Sequence, residues 1–340
     1  MELDLNTIWY GLVGILLAGY AILDGFDLGV GALHLFVRKD HDRRILLNAI
    51  GPVWDGNEVW LVTGGGALFA AFPEAYATVF SGFYLAFMLF LLAIIFRAVA
   101  IEFRSKRESR RWRQTWDVAF SLSSIASSIL LGVALGNLIW GIPLDAANEY
   151  TGGFFNLLHP YALLVGVMML ALFVMHGCIY LIIKTEGELQ AQLRGWVRST
   201  IIFFIITYAL TSMATMVFAE HMIARFREHP TLFIFPLLTL LAVANVPREV
   251  HRDRLFAAFL SSCAAVLGFM SLYVIGSFPY LVLSSPNPEF SLTIYNAASS
   301  PKTLRIMLII ACMGVPLVLA YTASIYYIFR GKVKLDAMSY

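Results

Sequence analysis

Long apolar runs broken by short polar segments set the pattern of this chain. A membrane-crossing helix needs about 20 mostly apolar residues. By that rule nine segments read as spans: 8–36, 52–72, 76–101, 117–140, 157–183, 199–220, 231–246, 255–283 and 304–329. The second carries Gly64, Gly65 and Gly66 and the seventh is short, so these two give the weakest signals. The expected fold is an all-α, polytopic membrane protein forming one integral domain over 1–340. There is no fixed repeat, low-complexity linker or soluble domain. The segments 141–156 and 284–303 are too short to fold alone, so chemistry belongs to the helices, their ends or a partner.

Charge in the loops gives a direction. With the N-terminus outside, the inner segments hold Arg38, Lys39, Arg43 and Arg44, then six basic residues from Arg104 to Arg113. Lys184, Arg194 and Arg198 follow, then Arg248, Arg252 and Arg254, and finally Arg330, Lys332 and Lys334. Nineteen basic residues thus fall inside and four outside, namely Arg225, Arg227, Lys302 and Arg305. The asymmetry follows the positive-inside rule. It predicts an odd span count and a cytoplasmic C-terminus. The opening MELDLNTIWY has no positive n-region or small-residue cleavage site, so no cleavable signal is expected there.

Composition sharpens the class. The 340 residues are 59% hydrophobic and 14% charged, where soluble domains carry about 25% charged residues. A net charge of +2, with no basic tract interleaved with aromatics outside the loops, gives no sign of a nucleic-acid partner. Cys178, Cys263 and Cys312 sit in apolar runs at spacings that fit neither a zinc site nor a disulfide framework. They read as small packing residues.

The informative residues are charges inside the apolar runs, which are costly and usually face the protein interior or water. Asp24 and Asp27 are three apart, on one helix face. At about 1.5 Å per residue, Asp24 lies roughly 21 Å along the helix from Arg38. Asp55 and Glu58 repeat the spacing at the start of the second span, beside Trp54 and Asn57. One reading is a hydrated route by which cytoplasmic protons enter, since carboxylates and water relay protons. The competing reading is structural: Asp55 and Glu58 favour a helix N-terminus, and Asp24 and Asp27 pair with Arg97 or with a partner's cation.

The glycines read as packing residues. Gly25 and Gly29 have the spacing that lets helices approach closely, and TGGG after the second carboxylate pair fits no nucleotide loop. Among seven histidines, only His34 and His176 fall in the inner halves of spans, so no haem is expected in this chain.

Several stretches together resemble subunit II of cytochrome bd-type quinol oxidases. They are DGFDLGVG, NAIGPVWDGNEVWLVTGGGALFAAFPEAY, FSGFYLAF, FRSKRESRRWRQTWD, GVALGNLIWGIP, FPYLVLSS, SLTIYNAASSPKTLRIMLIIACMGVPLVLAYT and YYIFRGKVK. The likeness spans the whole chain, densest over 20–145 and 277–334. Tyr295 and Asn296 stand where many members carry Trp and Asp; with the compact length, this resembles the family's cyanide-insensitive branch. The resemblance implies nine helices and a bacterial cytoplasmic (inner) membrane location. It implies a partner subunit I that carries the quinol site, two haems b and one haem d, with no haem ligated here. Subunit II would stabilise that partner and contribute a proton route through Asp24, Asp27 and Asp55, with Trp54 and Asn57 as the polar entrance. Glu58 is less secure, because Gln also occurs there. Quinol would be met through the complex; membrane lipid is a further partner, and there is room for a small accessory subunit. The rivals are an independent proton-coupled transporter, which would show internal repeats and broken midplane helices, and a purely structural subunit.

Overall fold

The structure, a computed structural model, describes residues 4–335; residues 1–3 and 336–340, parts of the expected single domain, lie outside it. Helix α1 (Leu5–Leu33) starts at Asp4, whose carboxylate accepts the Thr7 N–H at 2.7 Å, the capping role short acids favour. Next come α2 (Asp40–Ile50), α3 (Trp54–Ala71), α4 (Pro73–Gly82) and α5 (Tyr84–Phe103). The long α6 (Arg110–Trp140), α7 (Pro160–Lys184) and α8 (Gly187–Phe218) follow. The short α9 (His221–Glu228) precedes α10 (Ile234–His251), α11 (Leu255–Ser277) and α12 (Pro301–Ile328). Between the last two, β1 (Tyr280–Val282) pairs antiparallel with β2 (Leu292–Thr293).

Among the described residues, eight helices are long and apolar enough to cross a membrane. The expected span 52–72 is not one of them. Its helix α3 has 18 residues, and Asp55, Asn57, Glu58 and the three glycines dilute its apolar character. The expected span 76–101 is divided. Pro73 opens α4 at a first-turn position that suits proline. The chain then bends at Phe83, beside Gly82, where an added Cβ would lie 2.7 Å from the Tyr150 Cβ. The expected span 255–283 stops at Ser277, because Pro279 has no N–H to donate and 280–282 pairs as a strand instead. Helices α6 and α8 begin 7 and 12 residues before the expected spans 117–140 and 199–220. Leu189, Leu193 and Val197, spaced by four, bury one face of the α8 extension. Helix α2, expected as loop, exists because Leu46, Leu47, Ala49 and Ile50 turn one face inward.

Helix α7 is the most enclosed long helix and packs directly on α1. Contact is close enough that a Cβ on Gly29 would lie 1.9 Å from the Phe173 carbonyl oxygen and one on Gly177 2.6 Å from the Val30 nitrogen. Helix α12 lies on the outside, with only Leu304 buried. It runs parallel to α1: the Trp9 indole donates to the Leu304 carbonyl near both starts, and Tyr326, near the far end of α12, reaches Asn57 beside Asp27. Helix α3 connects the same two levels. Its first turn holds Asn57, and its end meets Ser299, which donates to the Ala70 and Ala71 carbonyls.

Candidate functional site

The buried polar centre forms where α1, α3, α5 and α12 meet. Arg97 is the one charge in the apolar run FLLAIIFRAVAI and is fully enclosed. One of its terminal nitrogens donates to Asp24 Oδ2 and Glu58 Oε1, both at 2.9 Å. The other donates to Asp24 Oδ1 and lies 3.9 Å from Asp27 Oδ2. One guanidinium therefore faces three carboxylates. Asn57 links the next layer: its amide donates to Asp27 Oδ2 at 2.8 Å and to the Leu23 carbonyl at 3.1 Å, and its oxygen accepts the Tyr326 hydroxyl at 2.9 Å.

The six candidate residues divide. Asp24, Asp27 and Asn57 are buried, and Glu58 is half-buried on Arg97. Trp54 is half-buried against the central core. Asp55 is exposed, at the first turn of α3, outside the buried ion pairs. Glu58, the least secure of the candidates, is thus tied directly to the central arginine. Arg97 itself was visible in the sequence as a lone charge in a span. Tyr326 gave no signal, lying 269 residues from Asn57.

A second polar cluster joins α1, α2 and α6 to the end of α5. Asp117 accepts from Arg104 at 2.5 Å and Arg43 at 2.8 Å, and pairs with His34 Nε2 at 2.6 Å. Arg104 also donates to Asp40 at 2.7 Å, and Arg113 donates to the other Asp40 oxygen at 2.9 Å. These partners are scattered in sequence and carry no fixed spacing.

The two histidines expected in the inner halves of spans are both engaged within the protein. His176 uses both ring nitrogens, on Ser262 Oγ at 2.8 Å and the Ile22 carbonyl at 2.9 Å, and His34 is held by Asp117. Among the described residues, no group of three or more His, Cys, Asp or Glu is placed to hold a metal.

A polytopic helical protein with buried carboxylates around one arginine is the class this geometry defines. Sequence comparison then gives the family. The cytochrome bd terminal oxidase subunit II model matches residues 5–329. The chain is 36% identical to cytochrome bd-I ubiquinol oxidase subunit 2 of Escherichia coli (strain K12), over 97% of this chain and 95% of that protein. It is 33% identical to cytochrome bd ubiquinol oxidase subunit 2 of Bacillus subtilis (strain 168), over 97% of each. In structure it is similar to a chain of the bd oxidase from Geobacillus thermodenitrificans, with a TM-score of 0.80 and 17% identity, covering 96% of this chain and 98% of that one. This chain belongs to the cytochrome bd terminal oxidase subunit II family. It is a multi-pass protein of the bacterial inner membrane and one subunit of an oxidoreductase complex.

Proposed function

We propose that this chain stabilises a haem-bearing subunit I in a complex that oxidises quinol and reduces oxygen to water, and that it brings cytoplasmic protons toward that chemistry. Four-electron reduction of oxygen to water consumes four protons. In this reading the two haems b, the haem d and the quinol site belong to subunit I. The observation that carries the proton route is the chain of polar groups from Asp55, exposed at the start of α3, through Glu58 and Asn57 to Asp24 and Asp27 on Arg97. Three carboxylates around one permanent cation can take up and release protons while the arginine keeps its charge.

One observation favours a second, structural reading. Arg97 fastens α1, α3 and α5 at a single point, so the same acids could serve assembly alone. Asp55→Asn and Asp27→Asn separate the two, because Asn keeps the size and cannot carry a proton. The relay predicts that the purified complex keeps its haem spectrum while single-turnover proton uptake slows at least severalfold. Unchanged proton uptake with intact haems would remove the relay; loss of the haem spectrum would assign these carboxylates to assembly.

A further inference from the structure

A cavity of about 250 Å³ lies between α6, α7, α8 and α11, with Ala21 of α1 in its wall, and none of the Arg97 cluster lines it. Its walls are apolar and rich in methionine, including Leu135, Val165, Met168, Met169, Val266 and Phe269. Tyr161, Tyr208, Thr211, Ser212, Thr215 and Tyr273 bring the polar groups, and three of these are paired within the protein. Thr211 and Thr215 each donate to a carbonyl one turn back in α8 at 2.8 Å, and the Tyr161 hydroxyl is bonded to Thr215 Oγ1 at 2.8 Å. Such a lining offers a ligand mainly dispersion contacts. Methionine adapts to irregular, flexible occupants, so the chemistry fits an alkyl chain.

The lid supplies the rest of the ligand. Helix α9 is amphipathic: Met222, Ile223 and Phe226 line the cavity, while Arg227 and Glu228 are exposed. The lid lies at the end of the molecule where α1 begins, since Arg225 of α9 stacks on the Phe278 ring at 4.1 Å and Phe278 packs on Tyr10. Basic residues are scarce in the segments at this end, where Arg225, Arg227, Lys302 and Arg305 are the four. Two of them sit on the lid of this cavity. The helix that covers the apolar cavity thus also carries an exposed arginine and an adjacent exposed glutamate, one charge of each sign.

We propose that the cavity takes one acyl chain of a zwitterionic phospholipid, with its phosphate against Arg227 and its ammonium toward Glu228. The inference rests on the chain's membrane location and is independent of the proton route. Native mass spectrometry of the detergent-purified whole complex tests it. The expected result is a retained adduct with the mass of an ethanolamine phospholipid. Val165→Phe and Val266→Phe fill the cavity from opposite walls, and either should lower adduct occupancy at least threefold. Arg227→Gln changes no buried packing and should lower retention at least threefold under mild activation. The proposal is overturned if the wild-type complex carries no such adduct, or if the adduct has the mass of an isoprenoid quinone or an anionic lipid. It is also overturned if occupancy is unchanged in whichever filled variant assembles, or if retention is unchanged in Arg227→Gln.

Discussion

Arg97 shows how much one buried charge decides. Removing one partner from a buried ion pair leaves the other charge uncompensated, at a cost of about 3–5 kcal/mol. Arg97 has several partners, so Arg97→Met should lower the thermal midpoint of the assembled complex and the yield of haem-containing enzyme. Adding Asp24→Leu should recover part of that loss, because an apolar replacement for the closest pair removes the stranded carboxylate. An Arg97→Met complex as stable as wild type would mean that the ion pairs contribute nothing net. The carboxylates were legible in the sequence because charges within apolar runs are rare and need a reason. Their division of roles was not. Asp55 and Glu58 have the same one-turn spacing as Asp24 and Asp27, yet Asp55 is exposed and Glu58 turns onto Arg97. That outcome depends on how α3 is rotated against α1 and α5, which spacing within α3 cannot specify.

At the scale of helices, glycine separates into two uses that look alike in sequence. Gly29 and Gly177 allow backbone contact between α1 and α7, and an added methyl at Gly29 would overlap the Phe173 carbonyl. The small-residue spacing in DGFDLG was a sound guide there. The TGGG segment was a poorer one: Gly64 meets Leu17 of α1, but a Cβ at Gly65 or Gly66 would have nothing within 4 Å. Packing therefore explains one of these three glycines within the chain. Gly29→Ala should destabilise by about 1–3 kcal/mol or more, as overpacked cores do. Gly66→Ala should leave this subunit's own fold intact and favour the helix by roughly 0.5–1 kcal/mol. Thermal unfolding of the two purified variants, followed by circular dichroism, checks the contrast; equal midpoints would contradict it. Helix ends were less legible than helix existence. The sequence rule sought apolar length, while α6 and α8 continue beyond it on amphipathic turns and α11 stops early at the cue of a proline.

For the whole molecule, the open matter is how many times the chain crosses and in which direction. Eight helices meet the length and hydropathy needed, and an even count would leave both termini on one side. Yet α1 and α12 run parallel, with Trp9 near Leu304 at one end and Tyr326 near Asn57 at the other. That arrangement supports an odd number of crossings, and α3 is the candidate for the ninth. It joins the level of Asp27 to the level of Ser299, and at about 1.5 Å per residue its 18 residues extend roughly 27 Å, close to the bilayer's hydrocarbon thickness. Hydropathy alone misses it because polar residues lower its mean, although two of them face other helices: Asn57 is buried on Asp27 and Glu58 pairs with Arg97. By the positive-inside rule the basic loops predict the direction, with the segment 104–113 expected in the cytoplasm. A single cysteine at position 108, in a background lacking Cys178, Cys263 and Cys312, should resist a membrane-impermeant thiol reagent in intact cells and react once the membrane is opened. A cysteine at position 146, in the segment after α6, should react in intact cells. Labelling of both positions from the same side would exclude α6 as a span, and labelling of position 108 alone in intact cells would invert the orientation. The inverted orientation would also end the proton route, because the exposed Asp55 would then face away from the cytoplasm.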